Sequence, residues 1–106
     1  MDLPVQFDSV FFEKSRLSIL TLMYQEGEVT YSYLKETLKY SDGALYSHLQ
    51  KLTKQGYVTS KKKVFMNSAH TVYRMSPKGE SEYIRYLEYL ERFLRSIRKG
   101  EKDEQH

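Results

Sequence analysis

SDGALYSHLQKLTKQG, residues 41–56, is the stretch that decides the fold. Placed at about 100° per residue, Leu45, Leu49 and Leu52 fall on one side, and Gly43, Ser47, Gln50, Lys51 and Lys54 on the other. Ser41 is a good N-cap, Asp42 favours the positive end of a helix in its first turn, and Gly56 suits a C-terminal stop. Three leucines would anchor such a helix, with small residues, an amide and lysines turned outward. A helix dressed in this way fits a DNA major groove. Lysines meet phosphate, Gln and Ser can hydrogen-bond base edges, and Gly43 and Ala44 allow close backbone approach. The same pattern also describes an ordinary surface helix with a solvated polar face.

The flanks bear on that choice. In TYSYLKETLKY, residues 30–40, Thr30 can cap a short helix that carries Leu34 and Leu38 at i, i+4. Lys39 and Tyr40 then form a tight link, and two helices joined so closely make a helix-turn-helix. After Gly56, the segment YVTSKKKVFMNSAHTVYRMS is rich in Val, Thr, Tyr and Phe. It reads as a β-hairpin with NSAH, residues 67–70, as its loop.

GALYSHLQKLTKQGYV followed by TVYRMSPKGESEY resembles winged-helix transcription regulators of the MarR, ArsR and PadR type, and most of all the small stand-alone ones of archaea. The resemblance runs from about Phe12 to Leu94. It implies a third strand at Glu28–Val29 beside the wing, and a transcription factor, more often a repressor than an activator. Two departures stand out. The family usually has Gly in the turn where this chain has Lys39, and a left-handed Lys there costs about 1 kcal/mol. The family's wing tip usually carries arginine, whereas Met66 to His70 here has none.

The chain has 106 residues, which suits one modest core. It lacks cysteine, so disulfides, thiol catalysis and zinc–thiolate sites are excluded. No apolar run approaches the roughly 18 residues of a membrane span, and no signal peptide is expected. The net charge of +3 is mild, but its distribution is not. Residues 31–74 hold eight Lys and Arg against Glu36 and Asp42, a net +6, while residues 1–30 are net negative and residues 75–106 neutral. Positive charge is thus concentrated where phosphate would lie.

The first twelve residues are unusually apolar. Phe7 and Phe11 are expected either at a subunit interface or over the chain's own core. Glu13–Glu26 reads as the first helix, with Leu17, Leu20 and Tyr24 on its apolar face and Gly27 ending it. In the wing, Val58 and Met75 should point inward. Lys61, Lys62 and Lys63 cannot share one face of a strand, so at most two meet DNA together. They either contact phosphate or guard a solvated edge. Ser76 and Pro77 open the last helix as N-cap and N1. Leu87, Leu90, Leu94 and Ile97 are spaced 3, 4, 3, a heptad-like seam that Tyr83, Tyr86 and Phe93 widen. It suits a dimer; the alternative is that it folds back on the first helix.

No metal site is expected, because His48, His70 and His106 have no second ligand at metal spacing. His48, beside the leucine face, reads as structural, and His70 is placed at the wing base. Ser47 and His48 are adjacent in a helix and diverge, so they make no nucleophile–base pair.

The fold expected is mainly α with a small β-hairpin wing: a winged helix-turn-helix with a long C-terminal dimerisation helix. One domain spans residues 1–100, with the helix-turn-helix at 30–56, the wing at 57–75 and the last helix at 76–99, and a polar tail follows at 101–106. The function expected is sequence-specific binding of double-stranded DNA by a cytoplasmic homodimer, without cofactor or catalysis. Any small-molecule effector is unknown. The recognition-helix contacts would be Ser41, Gly43, Ala44, Ser47, Gln50, Lys51 and Lys54. The wing and flank would add Tyr31, Lys61, Lys62, Lys63, Asn67, His70 and Arg74. Phe7, Phe11, Leu87, Leu90, Leu94 and Ile97 would form the dimer interface. The competing class is a winged-helix protein-interaction module in a multi-subunit complex.

Overall fold

Side-chain caps set the helix starts. In the computed structural model, which describes residues 8–104, the Glu13 carboxylate accepts the N–H groups of Ser15 and Arg16 and opens α1, Lys14–Glu26. Gly27 ends it at φ 84°. β1, Val29–Thr30, leads directly into α2, Tyr31–Leu38, whose first turn is capped by the Thr30 hydroxyl accepting from the Tyr33 N–H at 3.0 Å. Lys39 then turns the chain in the left-handed region, at φ 61° and ψ 32°. Ser41 caps α3, Asp42–Lys54, by accepting from the Ala44 N–H at 3.2 Å. The leucines expected inside are there: Leu45, Leu49 and Leu52 are buried with Ile19, Leu20, Met23 and Leu34.

Gly56, at φ 80°, turns the chain into the hairpin of β2, Val58–Phe65, and β3, Ser68–Met75. The sheet order is β1-β3-β2, all antiparallel, with Val58 opposite Met75, Lys62 opposite Thr71 and Phe65 opposite Ser68. The expected loop at 67–70 is therefore corrected. The turn is only Met66 and Asn67, both left-handed at φ 52° and 63°, the signature of a two-residue type I′ hairpin. Ser68, Ala69 and His70 are already in β3. His70 consequently lies near the tip rather than the base, with its ring stacked on Phe65 at 3.9 Å.

α4, Pro77–Glu104, is 28 residues long, or about 42 Å at 1.5 Å per residue. It outruns the expected stop. Gly100 costs a helix only about 1 kcal/mol, and the helix runs through it. The start of α4 is tied to the end of α3. Ser76 Oγ donates to the Gly56 carbonyl and accepts from the Gly79 N–H.

Two expectations about the apolar termini change. Phe11 is fully buried in its own chain, edge-on to Tyr57 at 5.1 Å, so it is a core residue and not an interface one. Phe7 lies outside the described residues. Tyr83 and Tyr86 also turn to their own chain. Tyr83 rests against Tyr24 of α1, and its hydroxyl donates to Thr21, which itself donates to the Leu17 carbonyl. Tyr86 meets Phe12 edge-on. The tyrosine face of α4 thus closes the core. The adjoining face, Ile84, Leu87, Leu94 and Ile97, stays exposed, with Leu90 half-buried.

Candidate nucleic-acid interface

The outward face of α3 is open along its whole length. Ser41, Gly43, Ala44, Ser47, Gln50, Lys51 and Lys54 are all exposed. A side chain built on Gly43 would meet nothing within 4 Å, so a ligand backbone can come close there. Ser41 is partly committed: its oxygen caps the helix, leaving the hydroxyl proton to donate outward. The exposed face also holds a residue that the sequence reading passed over. Tyr46 is 58% exposed, and its hydroxyl accepts a hydrogen bond from the Gln50 amide one turn later. That bond uses one amide proton and leaves the Gln50 carbonyl oxygen and second proton to present to a partner. The i, i+4 spacing of Tyr and Gln was the available signal.

Across a narrow cleft from Tyr46 and Gln50 stand Ser60 and Tyr73 on the inner face of the wing. Alternation along β2 puts Lys62 on that same face, where its ammonium donates to the Thr71 hydroxyl at 2.7 Å. Lys61 and Lys63 point the other way. Both reach Glu28, at 3.7 Å and 2.5 Å, and the Lys63 ammonium holds the Glu28 carboxyl below its usual range. Arg74, with Glu28 and Lys61, borders a hollow on this outer face. Of the four wing cations, only Lys62 shares the side of α3.

The mouth of α3 is braced rather than free. Tyr31, expected as a contact, is half-buried, and its hydroxyl donates to Asp42, at 3.1 Å to the carboxylate and 3.3 Å to the carbonyl. Lys35 pairs with the same carboxylate at 3.0 Å. The Lys35 ammonium and the Tyr31 hydroxyl hold Asp42 ionised below its usual range, while their own polarity offsets its charge toward an approaching anion. Asn67 is exposed in the turn, and His70 is stacked and half-buried.

Behind α3, His48 is held as the structural residue expected. Arg16, only 8% exposed, donates from Nη1 to His48 Nδ1 at 3.1 Å and from Nε to the Val10 carbonyl at 2.5 Å. Burial, and then the Arg16 charge, push the imidazole pKa down. A neutral ring with its proton on Nε2 is therefore the form that accepts from Arg16. The cluster ties the recognition helix to α1.

A helix-turn-helix whose second helix buries its leucine face in the core and turns its polar face outward, followed by a two-stranded wing on the same side, defines a winged helix. The chain belongs to that family: residues 15–94 match the winged helix DNA-binding domain. It is 32% identical over 88 residues to an uncharacterized protein of Methanocaldococcus jannaschii, a match covering 83% of this chain and 96% of that one. Among solved structures it is similar to a transcriptional regulator homologue of Pyrococcus horikoshii, with 23% identity, a TM-score of 0.76, and 85% and 89% of the two chains covered. A MarR-family regulator of Enterococcus faecalis superposes with a TM-score of 0.73 at 20% identity over 89% and 84% of the chains. These likenesses support the fold, that of the winged-helix transcriptional regulators.

Proposed function

We propose that this protein is a cytoplasmic transcriptional regulator that binds double-stranded DNA as a homodimer and represses the genes beside its operator, with no catalytic step. The carrying observation is the open face of α3, small and polar at its start and basic in its last turn at Lys51 and Lys54, with Lys62 of the wing turned to the same side. Ser47 and Gln50 read base edges, and Lys51, Lys54 and Lys62 meet phosphate. The exposed apolar stripe of α4 pairs with its copy. Two-fold symmetry then spaces the recognition helices about one DNA turn apart, ~34 Å.

Fluorescence anisotropy on a selected duplex and its scramble, across a salt series, tests this. Roughly four phosphate contacts per subunit give a slope of log K against log salt of about −7. A flat salt response, with no duplex bound more tightly than about 100 μM at low salt, overturns the reading. A protein-interaction module is the second reading, favoured by the neutralisation of Lys61 and Lys63 by Glu28.

A further inference from the structure

The tip of the wing is apolar where its surroundings are basic. Val64 is 78% exposed and Met66 88%, the most exposed large apolar side chains of the described residues. Neither side chain packs on the core. Met66 occupies the first position of a type I′ turn at φ 52°, where a side chain is strained and Gly or Asn is preferred. A residue that breaks a local backbone rule and also leaves its apolar surface in water points to a role outside the fold.

The support behind it is rigid. Phe65 and His70 stack with ring planes within 11°, and the Ser68 hydroxyl bonds His70 Nε2 at 2.9 Å, so the turn is held from both strands. β1 pairs only with Val72 and Tyr73, so from Lys63 to His70 the hairpin projects beyond the three-stranded sheet by roughly 10 Å. From Tyr57 to Met75 the wing carries four cations and no carboxylate. Glu28 offsets part of the charge of Lys61 and Lys63, and the ribbon stays net positive. An apolar point on such a ribbon, beside an exposed recognition helix, matches one partner well. That partner is a polyanion with an apolar interior reachable between layers, the base stack of duplex DNA.

We infer that Met66 is a wedge: it enters the minor groove next to the half-site bound by α3 and partly unstacks one base step, bending the duplex. The inference rests on the DNA-binding reading above. Apolar side chains that intrude between base pairs bend DNA toward the major groove, and pyrimidine–purine steps yield most easily. The wing would then select flexible steps, not particular base edges.

The test uses the full-length protein and the selected duplex, with 2-aminopurine placed in turn at each step beside the half-site and a dye pair at the duplex ends. Met66→Gly is the decisive variant. Glycine suits φ 52°, so this protein should fold at least as stably as the parent, which a thermal melt checks. The expected result is a rise in 2-aminopurine emission at one flanking step and a shortened end-to-end distance with the parent protein. Met66→Gly should lose both while still binding, with affinity down about tenfold and an unchanged salt slope. Parent and variant that bind alike and leave the duplex equally straight overturn the wedge while sparing the DNA-binding reading. Failure of both proteins to bind any duplex overturns both. A tip that instead sediments with phosphatidylserine vesicles in the parent only, with DNA bending unaffected by the variant, assigns it to a lipid surface and overturns the wedge.

Discussion

The Gly79 α-carbon lies against the backbone of Tyr57: a β-carbon on Gly79 would stand 2.2 Å from the Tyr57 carbonyl oxygen. That oxygen also accepts the Ser76 N–H at 3.0 Å, so it cannot retreat without breaking the junction. The contact sets the angle at which α4 leaves the wing. Gly79→Ala should therefore cost about 2–3 kcal/mol, the range of overpacking in a tight site. Urea unfolding reads this, and a loss under 0.5 kcal/mol would contradict it.

The wing lysines should separate by face. Lys62→Ala should weaken binding to every duplex alike and lower the salt slope by about 0.9 per contact in each subunit. Lys61→Ala and Lys63→Ala should do less, because Glu28 already neutralises them. Glu28→Gln releases both and should tighten nonspecific binding. The salt series reads all four variants. An equal effect of Lys61→Ala and Lys62→Ala would show that the faces do not differ.

Gln50 should fail differently from the lysines. Gln50→Ala is expected to lose about 1–3 kcal/mol on the best site and little on scrambled DNA. Tyr46→Phe removes the acceptor that orients the Gln50 amide but keeps the ring. Its specificity loss should be smaller and of the same kind. Competition anisotropy with the two duplexes measures both, and a uniform loss on both duplexes would make Gln50 a phosphate contact instead.

The exposed stripe on α4 should hold two copies together. Leu94 and Ile97 are 48% and 42% exposed, so changing both to Asp leaves the chain's own core intact. Burying two carboxylates in an apolar interface is very costly, so the double variant should sediment as a monomer with an unchanged circular dichroism spectrum. A parent protein that is monomeric at about 10 μM, or a double variant that stays dimeric, would refute the dimer.

The Arg16–His48 contact makes stability depend on mild acid. His48 has a lowered pKa in the folded state, so between its folded and unfolded values the unfolded chain binds more protons. Stability is then greatest above about pH 6.5 and falls as pH drops below it. Protonation places a second cation against Arg16 with Lys51 nearby, and Glu13, 4.0 Å away, offsets part of the repulsion. His48→Gln should flatten the slope of melting temperature between pH 7 and 5 relative to the parent. An unchanged slope would assign the acid sensitivity to another group.

Much of this molecule is local chemistry and could be read along the chain. Ser41 caps, Gly56 stops, and the spacing of Leu45, Leu49 and Leu52 puts lysines and Gln50 outside, because a helix has one period whatever it packs on. Lys39 shows the same: two helices so closely joined need a left-handed residue even without glycine. Pairing and direction were not legible. Alternation along β2 separates Lys62 from Lys61 and Lys63 but not which face looks toward α3; the register with β3 and the reach of Glu28 decided that. Phe11 could be read as an interface or a core residue, and Tyr83 was placed with the dimer seam, since an apolar side chain carries no mark of which chain will bury it. The tight turn at Met66 was hidden because NSAH resembles a loop by composition, while the hairpin register, set by strands eight residues long, put Met66 and Asn67 at the corner. Sequence determined the elements and their polar faces through local propensity and periodicity. The tertiary structure alone decided which charges are spent on one another and which remain to meet a partner, because that depends on distances across the fold.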